Sequence, residues 1–198
     1  MKPTGRTALL VALHLSALYP LAHAIWDYHT GGLSANPIED ITRRTGHAAI
    51  VLLTASLAAT PARRLTGWSF FVRLRRPLGL YSFFYASIHL MIFIGLDFGF
   101  DWELIWLESP KKRFIVAGLA AYVILLSLAL TSPKYMVGRL GAAWRKLHRM
   151  VYPASIFAAA HFVWLVKGDK TRPLIYAAVI GVLLLVRLFP WTARSRGS

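Results

Sequence analysis

The chain has no cysteine among its 198 residues. Disulfides, thiolate-ligated haem, Cys-ligated iron–sulfur clusters and thiol redox chemistry are therefore excluded, and any bound metal must rely on His or, failing that, on Met, Tyr or carboxylate. Charge is also scarce, at 16% Asp, Glu, Lys and Arg, where a soluble domain carries about a quarter. Together with 57% apolar residues and a mean hydropathy of +0.52, this excludes a disordered chain and argues against a water-soluble globule. Acids are scarcest of all. Eight of them face 23 bases, for a net charge of +15. The bases fall in short clusters between apolar runs, with no continuous basic face or aromatic-interleaved motif, so nucleic acid is not the expected partner. No GxGxxG surrounds Gly79, and no Walker loop, HExxH or Ser-His-acid spacing occurs. A redox role would need its electrons delivered from elsewhere.

What is present is a series of apolar stretches long enough to cross about 30 Å of hydrocarbon as helix. The pattern predicts an all-α membrane protein, a six-transmembrane-helix bundle with spans at Thr7 to Trp26, Gly46 to Thr60, Leu78 to Leu96, Phe114 to Leu130, Val151 to Val166 and Leu174 to Phe189. Pro37, Pro61, Pro77, Pro110, Pro133, Pro173 and Pro190 fall at or between these ends, where a missing N–H costs least. The first span imitates a cleavable signal through its basic start and Ala22-His23-Ala24, but its length reads as a retained helix. Lys134 to Arg149 differs from the spans, since Met136, Val137, Leu140, Trp144 and Leu147 recur near helical spacing with bases between them. It reads as a helix lying on the membrane surface. No internal repeat is evident.

Orientation follows the Lys and Arg residues. With both termini cytoplasmic, that side takes Lys2, Arg6, Arg63, Arg64, Arg73, Arg75, Arg76, Lys134, Arg139, Arg145, Lys146, Arg149, Arg194 and Arg196, with Arg187 near the end of the last span. All eight carboxylates then lie at the opposite surface, so there is no buried acid pair for ion coupling.

Ionisable groups inside spans are functional suspects because burying them without a partner is costly. His89 lies 13 residues beyond Arg76 and His161 12 residues beyond Arg149, on two helices running outward. At 1.5 Å per residue each stands roughly 18 to 20 Å above the inner boundary. Two imidazoles at one depth on two helices are what a flat macrocycle needs if its iron is gripped from both faces. Ala154, Ala158 and Ala160 give low relief near His161, and Phe157 and Trp164 are placed to pack on a ring; Ser82, Tyr85 and Ala86 precede His89. The plainer alternative is two buried histidines bonded to backbone or hydroxyls in an Ala-rich interface. His148 lies 13 residues before His161, about 20 Å inward if the helix is unbroken. At the corresponding place before His89 stand Arg75 and Arg76, which suit phosphate or propionate rather than iron. This inner position reads as a half-haem site, a quinone site, a phosphate-bearing flavin site, or simply interfacial snorkelling. His14 and His23 lie on different faces of the first span, His29 falls in a loop, and His47 opens the second span at the outer side, where it reads as an interfacial histidine ahead of one that reaches a haem edge.

Arg75-Arg76-Pro77-Leu78-Gly79-Leu80-Tyr81, followed by Ala86-Ser87-Ile88-His89-Leu90, resembles the third span of ferric-reductase-like transmembrane proteins and, more narrowly, of the MsrQ family of haem-binding membrane subunits. Asn36-Pro37-Ile38-Glu39 with Thr45-Gly46, Leu130-Thr131-Ser132, Leu140-Gly141 with Trp144, Leu147-His148 with Val151-Tyr152, His161, and Pro173-Leu174-Ile175-Tyr176 extend the likeness over nearly the whole chain. The resemblance implies haem b in a six-helix bundle of the bacterial inner membrane, FMN, and an electron-transfer subunit rather than the sulfoxide-reducing one. It implies as partner MsrP, a periplasmic molybdopterin subunit that reduces methionine sulfoxide in proteins. By matching positions it makes His89 and His161 haem ligands, His148 a further haem-associated histidine, and Arg75 and Arg76 part of the FMN region. Larger relatives carry two histidines on each of the two helices; here arginine stands where one of them is expected.

The expected role is an electron conduit. A membrane quinone or cytosolic flavin reductase would donate at the basic side, and the loop Asp97 to Arg113 would meet the acceptor through its mixed charges. The rivals are a haem quinol oxidoreductase or metal reductase with another acceptor, and a cofactor-free transporter or scaffold.

Overall fold

The computed structural model describes residues 3–188, and all of its regular elements are helical. Lys2, Arg194, Arg196 and Phe189, the end of the sixth predicted span, lie outside the described residues, as does Pro190. Helix α1 is Pro3–Thr30, α2 Pro37–Thr66, α3 Phe70–Ile92, α4 Trp102–Glu108, α5 Arg113–Leu130, α6 Lys134–His148, α7 Val151–Leu165 and α8 Thr171–Leu188. Four of these are long and apolar enough to cross a membrane, over Thr7–Thr30, Pro37–Thr66, Phe70–Asp97 and Arg113–Leu130, and α7 is a shorter apolar helix. His29 is helical, in the last turn of α1, rather than in a loop.

Asn36 starts α2 with a reciprocal cap: its side chain accepts from the Glu39 amide at 3.3 Å and donates to the Glu39 carboxylate at 3.2 Å, with Pro37 in the first turn. At the other end Gly67 adopts φ +75°, and its N–H closes on the Arg63 carbonyl at 2.8 Å. The chain then reverses into α3. The α2–α3 hairpin is tied by hydroxyls, from Ser82 to the Ala49 carbonyl at 2.8 Å and from Ser56 to the Arg75 carbonyl at 2.9 Å. Such interhelical bonds replace the hydrophobic drive that lipid cannot supply. Leu53 of α2 packs with Leu125 of α5 and Ala154 of α7, while Ile50 and Leu57 pack with Ala159 of α7 and Ile180 of α8. Helix α2 is the hub of the core.

Pro77, expected at a span end, lies inside α3 instead, and the short second span extends past Pro61 within α2. Proline interrupts the ladder by leaving the carbonyl four residues back without its donor. For Pro61 that carbonyl is Leu57, and the guanidinium of Arg187 on α8 donates to it at 2.6 Å. Pro20 sits inside α1, where the Tyr85 hydroxyl from α3 accepts from the Leu21 amide at 3.2 Å and donates to the Ala17 carbonyl at 2.7 Å. The surface helix α6 is broken at Gly141, whose φ of 51° and ψ of −119° only glycine adopts readily.

Candidate functional site

Helices α3 and α7 bring His89 and His161 together, with ring centroids 6.0 Å apart and planes at 89°. Each ring is held by a different helix. His89 Nδ1 lies 2.9 Å from the Thr42 carbonyl of α2, and His161 Nδ1 lies 2.6 Å from the Phe114 carbonyl of α5. A carbonyl only accepts, so Nδ1 carries the proton in both rings and the Nε2 lone pair is left free. A metal-ligating histidine characteristically donates its second nitrogen in this way. Glycines make the seats possible: a Cβ at Gly46 would come within 3.0 Å of His89 Cε1, and one at Gly118 within 2.6 Å of His161 Nδ1.

These residues fit a haem iron. Nitrogen–metal distances of about 2 Å on each side set two ligating imidazoles roughly 6 Å apart, which is the observed separation. Among the described residues no three His or carboxylate side chains converge on one point. A bare ion would have only two protein ligands, whereas a macrocycle brings four nitrogens of its own. The surroundings differ in part from expectation. Phe114 is the aromatic ring beside His161, at 6.1 Å, while Trp164 and Phe157 are exposed and Trp164 carries the Arg113 guanidinium over its face at 5.7 Å. Tyr85 is fully buried and engaged with α1.

His148 closes α6, and a turn at Arg149 and Met150 separates it from α7, so it does not share one unbroken helix with His161. Its Nε2 lies 3.1 Å from the Thr131 hydroxyl, its ring stacks on Trp144 at 4.0 Å, and the Trp144 indole donates to the Thr131 carbonyl at 2.9 Å. Burial pushes this imidazole below its ordinary pKa range, with the charge of Arg75 acting in the same direction. Arg76 Nε donates to the Ser132 hydroxyl at 3.2 Å. Arg187, which the sequence marked only as near a span end, lies over the Tyr152 ring at 4.9 Å and leaves its Nε without a partner. Arg75, Arg76, Arg187 and His148 therefore gather cationic and polar donor groups at the end of the bundle away from the carboxylates.

The remaining histidines do not join the pair. His14 bonds the Tyr81 hydroxyl at 2.8 Å. His23 joins Asp27 and Arg44, and Arg44 in turn bridges Asp27 of α1 to Asp40 of α2. Asp40 is buried among these partners rather than facing solvent. His47 meets Tyr176 of α8 edge-on at 5.5 Å and lines a cavity of about 510 Å³ between α1 and α2.

The family model described as ferric reductase like transmembrane component matches residues 45–159, the segment that runs from the His89 seat almost to His161. A protein of Rhodospirillum rubrum named protein-methionine-sulfoxide reductase heme-binding subunit MsrQ is 47% identical over 97% of this chain and 91% of its own length. Proteins of the same name from Herminiimonas arsenicoxydans and Xanthomonas axonopodis pv. citri are each 40% identical, over 99% and 91% of this chain and 92% and 86% of their own lengths. No solved structure matches. The chain is a multi-pass bacterial membrane protein that belongs to the ferric-reductase-like transmembrane family and, within it, to the MsrQ subunits.

Proposed function

We propose that this chain is a haem b electron conduit of the inner membrane, with six spans and both termini cytoplasmic, passing electrons from membrane quinol or a cytosolic flavin reductase to the periplasmic molybdopterin subunit MsrP. The observation that carries the reading is the His89–His161 pair: two rings 6.0 Å apart, each with Nδ1 committed to a helix carbonyl. Haem, when bound, supplies the one-electron chemistry. His89 and His161 would hold the iron through Nε2, with the tautomer of each fixed by the Thr42 and Phe114 carbonyls. Helices α7 and α8, one short and one carrying Arg187, complete the six spans. Their neighbours in the core are α2 and α5, which are themselves long enough to cross.

At the inner end Arg75 and Arg76 take the phosphate of FMN or a haem propionate, and His148 serves as a further haem ligand. The cationic cluster with no carboxylate in it supports an anionic group there. The names of the relatives support the haem and the methionine sulfoxide reductase system.

Purified protein should show a b-type pyridine haemochrome, and reduced protein should reduce purified MsrP. His89→Ala and His161→Ala should each lose most of the haem, because one imidazole alone leaves the iron an open face. A protein without a Soret band after expression with ample haem would point to a cofactor-free scaffold. Haem with no transfer to MsrP but rapid reduction of a ferric chelate would point to a metal reductase.

A further inference from the structure

The two imidazole seats are copies of each other. His89 reaches its carbonyl across 47 residues, and so does His161. Thr42, Gly46 and His89 are each followed 72 residues later by Phe114, Gly118 and His161. The same offset joins pairs of buried residues on these helices: Thr45 with Ala117, Leu53 with Leu125, and Ser82 with Ala154. Both glycines lie inside helices at ordinary φ, where glycine costs about 1 kcal/mol relative to alanine. Backbone freedom does not account for them.

The geometry of the approach does. In each helix the carbonyl four residues before the glycine accepts the glycine's own N–H, and the imidazole joins that same carbonyl from the side. The edge formed by Nδ1 and Cε1 then lies where a side chain at the glycine would stand, 3.0 and 3.1 Å from a Cβ at Gly46 and 2.6 and 2.9 Å from one at Gly118. From this coincidence of glycine, carbonyl and ring, found twice, we infer that Gly46 and Gly118 are positioning residues for the two axial histidines. Their missing side chains let each Nδ1–H reach the helix backbone, and that bond fixes the tautomer and raises the basicity of Nε2. The inference rests on the reading of His89 and His161 as axial ligands.

An added methyl group at either position pushes the ring off its carbonyl, weakens the bond and makes Nε2 a poorer donor to the iron. Less donation disfavours the oxidised iron, so the midpoint potential moves in the positive direction. At 118 the intrusion is deeper. The test compares Gly118→Ala, Gly46→Ala and, as a control, Gly181→Ala, where a Cβ meets nothing within 4 Å. Each detergent-purified variant is read by absorption and electron paramagnetic resonance for spin state, by redox titration for potential, and by thermal unfolding. The expected result is a positive shift and a high-spin fraction, larger for Gly118→Ala than for Gly46→Ala and absent in Gly181→Ala. Lower unfolding temperatures with spectrum and potential unchanged would overturn the inference, since a merely structural role produces that pattern. If Gly118→Ala does not accumulate, Gly46→Ala decides alone: a shifted potential supports the positioning role and an unshifted one overturns it. His161→Ala separates the two layers. An unaltered low-spin spectrum there removes the ligand assignment itself, whereas loss of haem there beside wild-type-like glycine variants removes only the positioning role.

Discussion

Arg76 and His148 show how a similar placement in the membrane is put to different uses. They are separated by the same 72-residue offset as the two ligands, but one is a guanidinium held by the Ser132 hydroxyl and the other an imidazole held by the Thr131 hydroxyl. A contact between a guanidinium and an anion is worth about 1.5 to 3 kcal/mol, so if Arg76 takes the FMN phosphate as proposed, Arg76→Ala should weaken flavin binding roughly 10- to 100-fold. Flavin extraction and fluorescence measure it, and unchanged FMN stoichiometry would take Arg76 out of the site. Histidines and arginines of this kind were legible in the sequence because a polar side chain in an apolar stretch is conspicuous and its depth follows from the helix rise. Gly46 and Gly118 were not. What they contribute is an absent side chain, and a glycine in an apolar helix looks the same whether it seats a ligand or faces lipid, as Gly181 shows. Arg187 was visible, but its partner, the Leu57 carbonyl released by Pro61, is 130 residues away in sequence.

Among the helices, α1 is the one whose attachment depends most on a few polar contacts. The Tyr85 hydroxyl stands between the Leu21 amide and the Ala17 carbonyl, in place of the direct bond a regular helix would make. Tyr81 adds a second link through His14. Tyr85→Phe removes a buried bridge, at a cost of about 1 to 3 kcal/mol. Hydrogen exchange should quicken around Ala17 to Leu21 while the Soret band keeps its position; protection unchanged from wild type would show that the bridge contributes little. The sequence supplied the order of the long apolar helices, because long apolar runs leave few alternatives, but it read Asp97 to Arg113 as a loop, where the short helix α4 forms. It misplaced their ends where proline entered, since a proline's cost depends on whether another helix supplies a donor or bridge, and Arg187 and Tyr85 come from distant parts of the chain. The surface helix was read from its periodicity, whereas its break at Gly141 requires a backbone conformation that no period reveals.

Taken as a whole, the molecule separates its charges by end. The Asp27, Arg44 and Asp40 network, with Glu39 near Asp97, marks the end where the carboxylates lie mixed with bases such as Arg43, Lys111 and Lys112, and the other end carries the arginines around His148. His89 and His161 sit towards the end that carries the carboxylates, since their supporting carbonyls come from the first two turns of α2 and the first turn of α5. Under the proposed function, a haem held by the pair would lie nearer the periplasmic side, where the proposed acceptor docks.

The duplicated seat has one more consequence. One half of the chain contributes His89 and the other His161, so under the proposed function haem would bridge two groups of helices that otherwise meet through apolar packing and a few polar contacts, among them Arg187 with the Leu57 carbonyl and Arg76 with the Ser132 hydroxyl. A ligand that binds only the assembled form stabilises it by mass action, by about 4 kcal/mol at a thousandfold excess over its Kd. Protein made under haem starvation should accordingly unfold at a lower temperature and recover when haem is added. An unfolding temperature that ignores haem loading would mean that the two groups of helices hold together without it.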